Sequence, residues 1–125
     1  SDGDIYHGLK SNDFGFTKFG EAYFSFIKYN KIKAWKKHTI MTSNLLVPIG
    51  SVKFVFYDYK KNIKEFIIGA DNYVRLTVPP SIWFGFQGLS NGNNIILNIA
   101  DVHHSDKEIE KKKISEIDYN WNFFK

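Results

Sequence analysis

Ser51-Val-Lys-Phe-Val-Phe-Tyr-Asp58 alternates with a period of two and puts Val52, Phe54 and Phe56 on one face. This is the pattern of a strand with one face on a core. Upstream, Ser43-Asn-Leu-Leu-Val-Pro-Ile-Gly50 ends on a turn glycine, and downstream Lys60-Lys-Asn62 is a turn. Further out, Glu21-Ala-Tyr-Phe-Ser-Phe-Ile-Lys-Tyr29 and Lys31-Ile-Lys-Ala-Trp-Lys-Lys37 read as two strands joined at Asn30. Glu65 to Ile68, Asn72 to Val78, Ile82 to Leu89 and Asn93 to Ala100 are four more short runs. Gly69-Ala-Asp71, Pro79-Pro80 and Ser90-Asn-Gly-Asn93 separate them with turn chemistry. Strands at intervals of about ten residues, divided by such turns, predict an all-β sandwich or barrel. The 12 Phe, 7 Tyr and 3 Trp favour sheet as well, because aromatic side chains suit a half-buried pleated surface. Only Asp106 to Ser115 reads as a helix. Ser105 is placed to cap it, Asp106 and Glu108 sit in its first turn, and Lys111 to Lys113 follow.

The 125 residues predict one domain over 1–125, long enough to bury a core without staples. With 43% hydrophobic and 24% charged residues, the chain is not a disordered tail. The absence of Cys excludes disulfides, zinc fingers and a thiol nucleophile. No apolar run reaches the roughly 18 residues of a transmembrane helix. There are 17 basic and 13 acidic residues, a net charge of +4. All the basic residues but Arg75 are Lys, whereas planar recognition of bases and phosphates prefers Arg. The densest charge run, Lys107 to Glu116, mixes both signs and reads as solvated surface. A nucleic-acid partner is therefore not expected. A smaller anion such as a nucleotide fits the charge.

Motifs of the common enzymes are missing: there is no Gly-x-Gly-x-x-Gly, P-loop, Gly-x-Ser-x-Gly or His-Glu-x-x-His. The acid-base candidates are His7, His38, His103 and His104, with lysines and carboxylates. The block Lys36-Lys-His38, then Ser43, then Gly50, followed later by Pro79-Pro-Ser-Ile-Trp-Phe84, resembles the two spaced motifs of the cupins. The four positions that hold metal in that family are here Lys36, His38, Ser43 and Phe84. One imidazole does not hold a transition metal, so no metal and no cofactor are expected.

Over nearly its whole length the chain resembles a metal-free cupin family, the dTDP-4-dehydrorhamnose 3,5-epimerases. Glu21-Ala-Tyr-Phe-Ser25 matches that family's early Gln-x-Asn-x-Ser strand. Ile32-Lys-Ala-Trp-Lys36 matches its Leu-Arg-Gly-Leu-His strand. Val78-Pro-Pro-Ser-Ile-Trp-Phe-Gly-Phe-Gln-Gly-Leu-Ser90 is the most specific match, and His104 to Glu108 with Trp121 follows more loosely. The resemblance implies a cupin jelly roll, a nucleotide-sugar ligand, and proton transfer beside a sugar ketone in surface polysaccharide synthesis. It also implies a cytoplasmic homodimer that pairs through Ala22 to Tyr29; such pairing would cover an exposed sheet edge. At the family's functional positions this chain differs. Lys36 stands for the catalytic His, Ser43 falls at or beside the enolate-stabilising Lys, His104 is nearest the proton-returning Tyr, and Lys33 replaces the phosphate-gripping Arg.

The replacements remain chemically capable. Lys33, Lys36 and Lys37 are close in sequence, and like charges lower a lysine's proton affinity. Lys36 and His38 share a face of an extended strand. Lys36 is thus the candidate base, with His38 or His104 as acid. The bland alternatives are solvated lysines at 36 and 37, a hydrogen-bonded His38 at the barrel mouth, and a polar loop at His103 and His104. Tyr23, Trp35, Trp83, Phe84 and Phe86 line a pocket that stacks on sugar or base, or else fill core. Thr42 and Asn44 bond sugar hydroxyls or begin a strand. Arg75 binds a phosphate or pairs with Asp71. Two rival functions stand beside the enzyme: a non-catalytic sugar or nucleotide-sugar binder, and an assembly protein with an empty barrel.

Overall fold

The computed structural model describes residues 2–123. Its strands are β1 (Glu21–Lys28), β2 (Ile32–His38), β3 (Ser43–Ile49), β4 (Ser51–Tyr57), β5 (Ile63–Gly69), β6 (Leu76–Val78), β7 (Trp83–Gly88), β8 (Asn93–Ala100) and β9 (Ile109–Lys111). They form two antiparallel sheets, ordered β1-β8-β3-β6 and β5-β4-β7-β2-β9. The expected all-β jelly roll is present as two facing sheets.

Between the sheets lies the main core of Ile27, Leu45, Val47, Val52, Phe54, Ile68, Val78 and Ile96. Each of Val52 and Phe54 contributes roughly 1.5–3 kcal/mol by leaving water. The β3–β4 turn hinges on Gly50, whose φ of +87° suits glycine and whose Cβ would meet Asn94 Cγ at 2.9 Å. Asn94 is fully buried there and ties the turn together. Its Oδ1 accepts from Ser51 N at 2.9 Å and its Nδ2 donates to Ile27 O at 3.1 Å.

Two expectations need correcting. The segment Asp106 to Ser115 is not an α-helix. A single 3-10 turn (Asp106–Glu108), capped by Ser105 as expected, leads into β9, and a second 3-10 turn (Ile114–Glu116) follows. A helix of ten residues is marginal alone, whereas the free edge of β2 offers the same segment ladder pairing, Lys36 to Lys111 and His38 to Ile109. The run Asn72 to Val78 is strand only from Leu76, because Tyr73 and Arg75 turn toward the N-terminal segment. Tyr73 donates to His7 O at 2.8 Å. Arg75 pairs with Asp13 at 3.1 Å rather than with Asp71, and also donates to Asn44 and to the carbonyls of Gly8 and Phe14.

The outer face of β4 is covered too: Lys53 and Val55, opposite Val52 and Phe54, are buried. The chain after β9 crosses this face and forms a second core of Trp35, Val55, Ile117 and Trp121. Trp35 Nε1 donates to Ile114 O at 3.1 Å. The Lys53 ammonium lies 5.1–5.4 Å from the rings of Tyr119, Trp121 and Phe123, a cation–π arrangement that offsets part of its desolvation. No helix among the described residues is long and apolar enough to cross a membrane.

Candidate functional site

A cavity of about 410 Å³ opens between the sheets. One wall comes from Tyr23 and Ser25 of β1 with Leu45, Ile96 and Asn98; the other comes from Ile32 to Lys36, Phe54, Phe84 and Phe86, with Lys111 at the rim.

Lys33 and Lys36 are three apart, which would put them on opposite faces of a regular strand. A bulge re-phases β2: Lys33 pairs with Phe86 and Lys36 with Phe84, while Trp35 has no partner on β7. Both lysines therefore turn inward with the phenylalanines, and Trp35 turns out under the C-terminal segment. Lys37 faces outward, 5.1 Å from the Trp83 ring and 3.6 Å from Glu110. The cation beside Lys36 is Lys111, its cross-strand partner on β9, and not Lys37 as the spacing implied. Burial pushes the Lys36 amine below the usual lysine range. Lys111 and Lys33 push it further down, and Glu108 partly restores it. Among the described residues, no ion pair or hydrogen bond engages that amine.

Opposite, Tyr23 Oη accepts from Asn98 Nδ2 at 3.0 Å, so its own proton is free to point elsewhere. Asn98 is buried and also bridges to Ser43 Oγ at 3.3 Å and to the Asn44 amide at 3.2 Å. Ser43 is thus a buried support and not a lining group.

His38 follows Lys36 on the same face, as expected, but it is buried and lies outside the cavity lining. Its ring stacks on Phe84 with centroids 6.0 Å apart. Nδ1 meets Glu108 Oε2 at 2.5 Å, and Nε2 is buried with no hydrogen-bond partner. Glu108 Oε1 accepts from Met41 N at 2.8 Å and Ile40 N at 3.1 Å. Burial alone would raise the Glu108 carboxyl; the bonds from His38, Met41 and Ile40, with the His38 charge, outweigh it and hold the group below the usual carboxylate range.

Of the proposed site residues, the fold gathers Tyr23, Lys33, Lys36 and Phe84 around the cavity; Trp35 touches its lining, but its ring packs in the second core. It does not bring Asn44, Arg75 or His104 there. Asn44 accepts from Thr77 at 2.6 Å and donates to Gly15 O at 3.2 Å, on the face of β3 that holds the N-terminal segment. His104 lies on an exposed loop, 3.4 Å from Asp106, with its backbone N–H bound by Glu21. Glu108, Asn98 and Lys111 went unread. Glu108 stood in the loose match after His104, which was its one signal. Lys111 was absorbed into the expected helix.

The site lies in a cupin frame, cationic at the rim and aromatic within, and relatives of known structure share that frame. A dTDP sugar isomerase from Desulfovibrio desulfuricans G20 superposes with a TM-score of 0.91 at 31% identity, over 99% of this chain and 85% of that one. The chain belongs to that family of dTDP-sugar isomerases. The dTDP-4-dehydrorhamnose 3,5-epimerase from Sulfolobus tokodaii shares the fold at TM-score 0.75 and 20% identity, over 89% of this chain and 69% of that one. The Bacillus subtilis spore coat polysaccharide biosynthesis protein SpsL is 25% identical over 114 residues, 83% of this chain and 76% of that protein. No family model matches the chain.

Proposed function

We propose that the chain binds a dTDP-linked ketohexose between its sheets and catalyses proton exchange beside the sugar ketone, as an isomerase or epimerase of surface polysaccharide synthesis. The observation that carries this reading is the Lys36 amine: largely buried, unpaired among the described residues, and facing a cavity whose rim holds Lys33 and Lys111. The rim cations suit a diphosphate, and the phenyl rings of Phe84 and Phe86 suit a sugar or base. Lys36 is the residue on which exchange depends. Tyr23, the one phenol lining the cavity among the described residues, is the acid in place of His104. His38 and Glu108 hold the floor beneath. No metal takes part, because the cupin metal positions hold Lys36, His38, Ser43 and Phe84, and Glu108 occupies His38 Nδ1. The protein works as a cytoplasmic homodimer through β1, an edge strand whose Phe24 and Phe26 are 61% and 54% exposed.

The test is calorimetric titration with dTDP, UDP and GDP sugars, then deuterium incorporation into any ligand that binds. Binding of a dTDP-ketohexose with solvent deuterium entering beside the ketone supports the enzyme. Binding without exchange means a non-catalytic carbohydrate module, the reading that the replaced family positions favour. No binding overturns both.

A further inference from the structure

A lysine amine in a cavity does one of two things to a ketone: it removes a neighbouring proton, or it attacks the carbonyl carbon. The second needs a neutral amine without a partner, beside a carbonyl, in a site that excludes bulk water from its back wall. Lys36 supplies the unpartnered amine, set among the aromatic rings of the cavity. Its amine forms no hydrogen bond or ion pair among the described residues. The bulge at Trp35 turns it inward beside Phe84 and Phe86. Across the β2–β9 ladder stands a second lysine, Lys111, which faces the same cavity. Burial holds the Lys36 amine below the usual lysine range, and the like charge of Lys111 adds to it. An amine that gives up its proton readily serves as base or as nucleophile; in a cavity that would hold the ketone itself, the carbonyl carbon is within its reach as well as the neighbouring C–H.

Resting on the ketohexose reading above, we propose that Lys36 forms a ketimine with the sugar carbonyl. The amine lone pair makes a C–N bond to the carbonyl carbon, and the C=O π pair moves to oxygen. The two amine hydrogens leave with that oxygen as water, and C=N remains. Protonated from solvent, the iminium acidifies the adjacent C–H. That proton passes to water in the open cavity, the C–H pair becomes C=C, and the C=N pair returns to nitrogen. The reverse steps return the proton and release the ketone.

The experiment traps the intermediate. The full chain is incubated with dTDP-4-dehydrorhamnose and sodium cyanoborohydride, and peptides are mapped by fragment-ion mass spectrometry, which separates Lys36 from its neighbour Lys37. The expected result is a reduced sugar adduct on Lys36, at least about tenfold above any other lysine, because burial and like charge single that amine out. Lys36→Arg keeps a long nitrogenous side chain but removes the nucleophilic amine, and should abolish the adduct while titrations still report binding of the nucleotide sugar. Lys111→Met removes the neighbouring charge; adduct yield at neutral pH should fall and recover at higher pH, with Lys33 and Glu108 the remaining charges that face the amine. Binding and deuterium exchange without an adduct on Lys36 would overturn the covalent route and leave the ketohexose reading standing. Absence of binding in the titration would overturn that reading and this inference with it.

Discussion

Glu108→Ala tests whether the floor of the site is an organised polar pair. The Glu108 carboxylate is 5% exposed and serves three donors: His38 Nδ1 at 2.5 Å, Met41 N at 2.8 Å and Ile40 N at 3.1 Å. His38 is 4% and Met41 0% exposed, so neither can turn to water once the carboxylate is gone. Removing one partner of a buried pair costs about 3–5 kcal/mol, and a single stranded buried N–H accounts for about 1–3 of that. With unfolding entropy near 2.1 cal/mol/K per residue, a loss of about 4 kcal/mol lowers the Tm of this 125-residue chain by about 15 °C. Glu108→Gln keeps an oxygen for the two backbone donors, and should lose only about 1–2 kcal/mol. The assay is thermal and urea unfolding of the three proteins. The pH dependence gives a second reading with a fixed sign. Because the folded carboxyl lies below its ordinary 4.5, the stability it supplies is present above that value and is lost as pH falls through the folded value. The gap between wild type and Glu108→Ala should therefore close in acid. An alanine variant within about 1 kcal/mol of wild type at neutral pH would refute the reasoning, since a buried pair broken on one side leaves a charge or donor that nothing else can satisfy.

The other predictions are briefer. Lys36→Met should abolish deuterium exchange while leaving much of the binding of a dTDP-ketohexose, and Lys33→Met should weaken binding instead; isotope exchange and calorimetry read the two. Binding should weaken as salt rises, because the rim charges of Lys33 and Lys111 are exposed and screened over about 8–10 Å at 0.1–0.15 M. Light scattering should give twice the 14.6 kDa chain mass, and Phe24→Ser with Phe26→Ser should shift it to the monomer. At Gly85 a Cβ would meet Ala34 Cβ at 2.6 Å and Trp121 Cζ2 at 3.0 Å, so Gly85→Val should displace Trp121, shift tryptophan emission to the red and cost about 1–3 kcal/mol.

Period-two alternation and turn residues made most of the first eight strands readable: β4 alternates cleanly, and Gly50, Gly69, Pro79 and Gly88 close β3, β5, β6 and β7. Asn72 to Arg75 misled, since Tyr73 and Arg75 direct their hydrogen bonds to a segment more than sixty residues away. β9 misled for the opposite reason: caps and charges suit a helix locally, but β2 had an open edge to fill. At the site, Tyr23, Lys33, Lys36 and Phe84 were legible because strand position and resemblance agreed on them. Lys111 and Glu108 were not. Their roles depend on a pairing between β2 and β9 across some seventy residues, and on a bulge at Trp35 that no local pattern marks.

β9 is three residues long and lies at the edge of its sheet. Such an edge is the easiest part of a sheet to open. Yet this short stretch carries Lys111 to the rim and adjoins Glu108 beneath His38. A local excursion of this one strand would therefore take the candidate site apart while the rest of both sheets stayed folded. Gentle warming should silence the site well before it melts the fold, and cooling should restore it without any refolding step.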